Sequence, residues 1–252
     1  MGDEVPVGLA RLWRLPTESR LGRPAALDID RVVRTAVALA DRDGLAGVTL
    51  AKIAKELDVT SMSLYRYVGS KEELLVLMGD EATGPAPDLP TRSDDWRSGL
   101  RAWAYALRAV HARHAWLSHL PTSGPPSGPN AISWMDACLR ALRDTELDWG
   151  TKVGILTLLS GYVRNAAQLS VDLAEGRRDS GLDQPQVEQE YGRALAGLVD
   201  GERFPEVAAL FTSGLFEQPP PDDPEQADFD LGLDLIFDGV AAAIRAAGTT
   251  NT

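Results

Sequence analysis

The sequence predicts an all-α protein, and three observations carry that prediction. Two short apolar-periodic segments joined by a tight turn lie between Val48 and Lys71, with a longer amphipathic segment ahead of them. Beyond residue 95 the apolar residues recur at three- and four-residue spacings over long stretches, most plainly in 149–175 and 229–247. Nowhere does the chain show the two-residue alternation of a half-buried strand, or an internal repeat. The expected organisation is a basic arm over 1–26, a compact three-helix domain over 27–81, and a larger helical domain over 92–248.

In the arm, Arg11, Arg14, Arg20 and Arg23 fall in RLWRLPTESRLGRP, which has no sustained helical period. A flexible basic arm reaches phosphates or a minor groove, where arginine is favoured electrostatically. Arg23, nearest the first helix, is the best placed; the competing reading is a solvated terminus with no role. The first helix is IDRVVRTAVALADRDG. The second covers Leu50–Leu57, with Thr49 as its N-cap, Leu50, Ile53, Ala54 and Leu57 on one buried face, and Lys52, Lys55 and Glu56 facing out. Asp58 stands where the chain turns sharply, and its short polar side chain tolerates a left-handed backbone. Val59 returns to the core. Thr60 is placed to cap a third helix that turns Leu64 and Val68 inward and Ser61, Met62, Ser63, Tyr65 and Tyr67 outward, with Gly69 as its end. Ser70 and Glu73 have the capping-box spacing of a further helix. Lys71 sits at that helix start against the macrodipole, which points to an outside anion such as a phosphate.

Two helices across a tight turn, the second carrying hydroxyl, aromatic and small apolar groups on its first turns, have the layout of a helix-turn-helix, whose second helix enters the major groove. Serine hydroxyls donate or accept at base edges, and Met62 can touch a thymine methyl. An ordinary pair of packed helices with a polar outer face is the alternative.

The stretch from Leu27 to Glu81 resembles the DNA-binding domain of the TetR family of transcriptional regulators. The matching parts are the amphipathic first helix, Val48-Thr49-Leu50, Ile53-Ala54, Leu57, Val59, the block from Ser63 to Val68, Lys71 and Leu74-Leu75. Asp58 stands where the family usually has Gly. The resemblance implies phosphate contacts from Thr49, Tyr65, Tyr67 and Lys71 and base readout from Ser61, Met62 and Ser63. Lys52 and Arg23 complete the candidate DNA-binding set.

Composition fits a two-domain regulator. At 252 residues and 44% apolar content the chain buries a sizeable core. It has no transmembrane run or signal peptide, so a cytoplasmic protein without a membrane partner is expected. A single cysteine, Cys138, excludes an internal disulfide framework. The net charge of −12 divides unevenly: residues 1–80 carry 11 basic and 12 acidic groups, the remainder 14 and 25. A near-neutral reading domain beneath an acidic body excludes a general nucleic-acid coater.

After the proline-rich linker GPAPDLPTRSD, a helix is expected over 96–114, with Trp96, Leu100, Trp103, Leu107 and Val110 inward. A Gly- and Pro-dense loop follows over 118–130, and structureless length of that kind covers a site or moves. Helices are expected over 132–143, 149–175, 187–199, 204–216 and 229–247, and 218–228 is read as disordered. The 149–175 helix is apolar almost all round, so one side faces its own domain and the other a second subunit. The last helix resembles that of the family branch with a tetracycline-repressor-like C-terminal domain. That resemblance implies a homodimer built on these two helices, and a ligand pocket among Trp103, Leu107, Met135, Cys138, Leu142, Tyr162 and Asn165, with His119 near where tetracycline-binding members place a metal-linked histidine. His111, His114 and His119 invite a metal hypothesis, but the spacing matches no standard zinc pattern, and histidines at a helix C-terminus are the competing reading. No cofactor is expected. No Gly-rich phosphate loop or nucleophile-base pair points to an enzyme.

These observations converge on a ligand-responsive regulator, chiefly a repressor, that binds palindromic operator DNA as a homodimer and is released by a small apolar inducer. The alternatives are a ligand-independent regulator or activator, and a helical small-molecule-binding protein or enzyme with a vestigial helix-turn-helix.

Overall fold

The computed structural model describes residues 5–16, 27–89, 95–121, 124–180, 184–219 and 221–250, and among these every regular element is helical. In chain order they are α1 (Val7–Leu12), α2 (Ile29–Gly47), α3 (Leu50–Leu57), α4 (Ser61–Val68), α5 (Lys71–Thr83) and α6 (Trp96–Arg113). A 3-10 turn (Ala115–His119) precedes α7 (Pro129–Ala141), α8 (Trp149–Ser180), α9 (Gln184–Ala196) and α10 (Pro205–Thr212), and a second (Leu215–Glu217) precedes α11 (Pro224–Thr250). Their contacts gather into two compact units, Met1–Gln168 with Phe237–Thr252, and Leu169–Ile236.

In the first unit, α2 to α5 close around one apolar core. Val32, Val33, Ala36 and Leu39 of α2 meet Ile53 and Leu57 of α3, Leu64 and Val68 of α4, and Leu74 and Met78 of α5, all buried. Each of these side chains larger than alanine contributes about 1.5–3 kcal/mol on leaving water, which offsets the cost of ordering helices as short as α3 and α4. Caps fix the ends. Asp28 accepts from the Arg31 amide at 2.7 Å, Thr49 Oγ1 from Lys52 at 3.2 Å and Ser70 Oγ from Glu73 at 3.1 Å. Asp58 adopts φ 56°, ψ 47°, and the amides of Asp58 and Val59 return to the carbonyls of Lys55 and Ala54, so a non-glycine closes a Schellman-type end to α3. Thr60 precedes α4 without capping an amide; its Oγ1 lies 2.8 Å from Ser63 Oγ. A positive φ at Gly44 interrupts α2 before its last turn.

α6 and α7 pack through Trp103 and Trp134, with ring centroids 5.9 Å apart and edge to face, and Trp103 Nε1 donates to the Trp134 carbonyl at 2.8 Å. Phe237 of α11 meets Trp96 edge to face at 6.0 Å. In the second unit, Tyr191, Phe211 and Phe216 form an aromatic cluster that joins α9, α10 and the short turn after it.

Three expectations need correction. The stretch 1–26, read as a flexible basic arm, contains α1, whose Leu12 is buried and which rests on α5. Tertiary contacts, not amphipathic repetition, hold so short a helix. The loop expected over 118–130 is shortened from both sides by the 3-10 turn and by α7, which starts at Pro129, a residue preorganised for the first helical position. The segment read as disordered over 218–228 enters α11 at Pro224, because Asp223 Oδ1 accepts from the Gln226 amide at 2.9 Å and caps the helix. Among the described residues, no helix is long and apolar enough to cross a membrane.

Candidate nucleic-acid interface and effector region

Helix α4 shows water the groups that the sequence placed on its outer side. Met62 is 78% and Tyr65 48% exposed, Ser61, Ser63 and Tyr67 are half-buried, and Leu64 and Val68 anchor the opposite face. Thr49 and Lys71, at the starts of α3 and α5, are exposed as well. The hydroxyl of Thr49 accepts a backbone amide and keeps its proton free to donate. Lys52 is drawn to Asp43 at 3.4 Å, and Arg42 bonds the same carboxylate at 3.0 Å. Hydrogen bonding from Arg42 is the main reason that carboxyl lies below its ordinary range. Lys52 is therefore shared between a carboxylate and any outside partner. Arg66, exposed between the two tyrosines, adds a cation that the candidate set omitted. Arg23 lies outside the described residues. Arg20 also lies outside the described residues, while Arg11 and Arg14 are paired with Glu73 and Asp30, each at 2.5 Å.

The chain leaves α4 through Gly69 at φ 67°, ψ −70°, and a Cβ there would overlap the Glu73 carboxylate and the Arg11 guanidinium. Gly69→Ala is expected to destabilise the fold by about 2–3 kcal/mol, read in chemical denaturation. A loss below about 0.5 kcal/mol would show that the turn relaxes freely.

Two carboxylates connect α5 and α2 to the elements that follow. Asp80 of α5 accepts from the amides of Ala131 at 2.9 Å and Asn130 at 3.3 Å, capping α7 from outside its own segment, and Asn130 Nδ2 returns a bond to the Asp80 carbonyl at 2.9 Å. Burial raises the Asp80 carboxyl pKa despite these donors. Gly128 is required beside it, since a Cβ would overlap Asp80 Oδ1. Asp41 of α2 accepts from Trp116 Nε1 at 2.6 Å and meets His114 Nδ1 at 2.7 Å. Neither aspartate was singled out in the sequence, because a tertiary acceptor leaves no local spacing. A cavity of about 450 Å³ lies against the first of these joints, between Val76, Gly79 and Asp80 of α5 and Leu120, Pro125 and Ala131.

The candidate ligand residues separate by exposure. Trp103, Cys138 and Leu142 are buried in the packed core, Leu107, Met135 and Tyr162 are half-buried, and His119 and Asn165 are exposed. Burial pushes the Cys138 thiol up to about 12, which removes it as a nucleophile at neutral pH. The three histidines do not converge: His111 Nδ1 lies 3.1 Å from Ser118 Oγ, His114 meets Asp41, and His119 is exposed. Among the described residues no group of three His, Cys, Asp or Glu side chains could hold a metal.

Burial, with Arg164 nearby, holds His111 down to about 4 from 6.5. The unfolded chain takes up the proton first, so this contribution to stability is complete above pH 6.5 and is lost as pH falls from there toward 4. The loss amounts to at most about 3 kcal/mol. His111→Gln is expected to flatten the stability profile over that window. An unchanged acid slope in urea titrations would exclude His111 as its source.

A short helix pair with a hydroxyl- and aromatic-bearing second helix, ahead of a larger helical region, defines a helix-turn-helix DNA-binding regulator. Residues 32–78 match the family described as "Bacterial regulatory proteins, tetR family", and residues 87–244 match "Tetracyclin repressor-like, C-terminal domain". The chain belongs to the TetR family, and is a DNA-binding transcription factor rather than an enzyme. It is 32% identical to the HTH-type transcriptional repressor DrrR1 of Streptomyces coeruleorubidus, over 94% of this chain and 85% of that protein. It is 27% identical to the Escherichia coli tetracycline repressor protein class A from transposon 1721, over 85% and 91% of the two chains. The crystal structure of Streptomyces coelicolor ActR in complex with actinorhodin superposes with a TM-score of 0.70 at 25% identity, covering 86% of this chain and 98% of ActR.

Proposed function

We propose that this chain is a cytoplasmic repressor that binds a palindrome-like operator as a C2 homodimer and releases it when a small apolar, drug-like effector binds the helical region after α5. The observation that carries the reading is α4: its inner face is locked in the core while Met62 and Tyr65 stand exposed on the outer one. Residues 27–81 form the reading domain, with phosphate contacts from Thr49, Lys52, Tyr65, Tyr67 and Lys71, aided by Arg23, and base contacts from Ser61, Met62 and Ser63. Residues 92–248 carry the effector site and the dimer surface.

Dimerisation is supported by leucines that a lone chain would leave in water. Leu169 and Leu173 of α8, and Leu231 and Leu235 of α11, lie one turn apart on their helices and are about half-exposed or more. An effector site is supported by ActR, solved with actinorhodin, and by the aromatic content of α6 and α7. Leu107, His119, Met135, Tyr162 and Asn165 are its reachable members, and Trp103, Cys138 and Leu142 join only if the helices part. The joints at Asp80 and Asp41 give an effector a route to the reading helices. It acts by its differential affinity for the two arrangements of the dimer.

Operator duplexes selected by the protein from a random-sequence library provide the test. Fluorescence anisotropy with calf-thymus DNA as competitor should show specific, salt-dependent binding, reversed by at least one member of a panel of lipophilic antibiotics. Specific binding that no such compound reverses would favour a ligand-independent regulator, and no preference over competitor would refute operator recognition.

A further inference from the structure

Helix α1 precedes the reading domain and is anchored at four points. Leu12 is buried, Arg11 Nη1 pairs with Glu73 Oε2 of α5, Arg14 Nε pairs with Asp30 Oδ1 of α2, and Trp13 Nε1 donates to the Ser127 carbonyl at 2.8 Å. The Arg11–Glu73 pair occupies the volume beneath Gly69 that any side chain there would fill. Gly69 is the C-cap of α4, and its amide donates to the Tyr65 carbonyl at 3.0 Å. Glu73 in turn gives its own amide to Ser70 Oγ, the cap of α5. One guanidinium therefore backs the turn that ends α4 and starts α5 at Lys71.

We infer that Arg11 is a positioning residue for operator binding. Paired with Glu73 and held by the Trp13 and Arg14 anchors, it fixes the Gly69 turn and so the placement of Tyr65, Tyr67 and Lys71 on DNA, without touching DNA itself. Removing its charge frees the turn and leaves the Glu73 carboxylate uncompensated within one helical turn of Lys71, where it opposes a phosphate. This rests on α4 being the reading helix.

The test uses the full chain and an operator duplex selected by the parent from a random library, with anisotropy measured across a salt series. Four proteins are compared with the parent: Arg11→Met, Glu73→Gln, the two combined, and Tyr65→Ala with Tyr67→Ala. Arg11→Met is expected to weaken operator binding by about fivefold to tenfold with the parent's salt slope, and the combined variant to regain at least half of the lost log affinity. Parent-like affinity of Arg11→Met overturns the inference, as does a loss that Glu73→Gln does not relieve. So does a fall in slope by about 0.9 per subunit, the mark of a direct phosphate contact. Should Arg11→Met fail to fold, Arg11→Lys, which keeps the charge but not the planar fork, must weaken binding by about twofold to fivefold at unchanged slope, and parent-like affinity or a lowered slope overturns the inference. If the tyrosine variant binds like the parent, the reading helix is misassigned; if it loses binding while Arg11→Met does not, only the role of Arg11 fails.

Discussion

Operator affinity is expected to collapse when Tyr65 and Tyr67 are both replaced by alanine. Each hydroxyl bonded to a phosphate is worth about 1 kcal/mol or more, and a dimer loses four of them. The total is about 4 kcal/mol, on the order of a thousandfold in Kd. The fold should survive, because Tyr65 is 48% exposed, Tyr67 is only half-buried and the buried face of α4 is made by Leu64 and Val68. The salt slope separates this variant from a charge deletion: tyrosine is neutral and releases no counterion, so the slope stays, whereas Lys71→Ala lowers it by about 0.9 per subunit. Replacing both tyrosines by phenylalanine keeps the rings and removes only the hydroxyls, and should reproduce most of the loss. Binding by the alanine variant equal to the parent's would show that α4 does not face DNA.

The second large effect lies far from α4 in sequence. Leu231 and Leu235 are 61% and 67% exposed, one turn apart on a helix that also carries Asp228, Asp234 and Asp238. Leu231→Glu with Leu235→Glu places two more carboxylates on that surface. If it is the dimer interface, four acids face each other across the two-fold axis in an apolar contact. The variant should then sediment as a single 27.1 kDa chain while keeping its helical circular dichroism. Operator affinity should fall by about a hundredfold or more, since one half-site binds without the avidity of its mate. A variant that still sediments as a dimer would move the interface to another surface.

The reading domain was legible because each of its signals is local. Thr49 and Ser70 cap the helices they precede, Asp58 takes the left-handed turn, and the buried faces of α3 and α4 follow the helical period. Capping, turn conformation and periodicity depend on residues within four positions of one another, so a sequence displays them directly. The effector region was less legible. Trp103, Cys138 and Leu142 were pocket candidates through the family resemblance, yet an apolar core and an apolar pocket draw on the same residue types, and the structure buries all three.

The all-α class, the succession from α2 to α5 and the outward set of α4 follow from local pattern along the chain. What the charges do depends on long-range packing. Arg11 and Arg14, free cations on paper, face Glu73 and Asp30, while Asp80 and Asp41 become acceptors for α7 and for the turn after α6. The physical reason is the same throughout: an ion pair or a cap supplied from 16 to 75 residues away is set by where packing brings two helices together. No spacing along the chain encodes that distance.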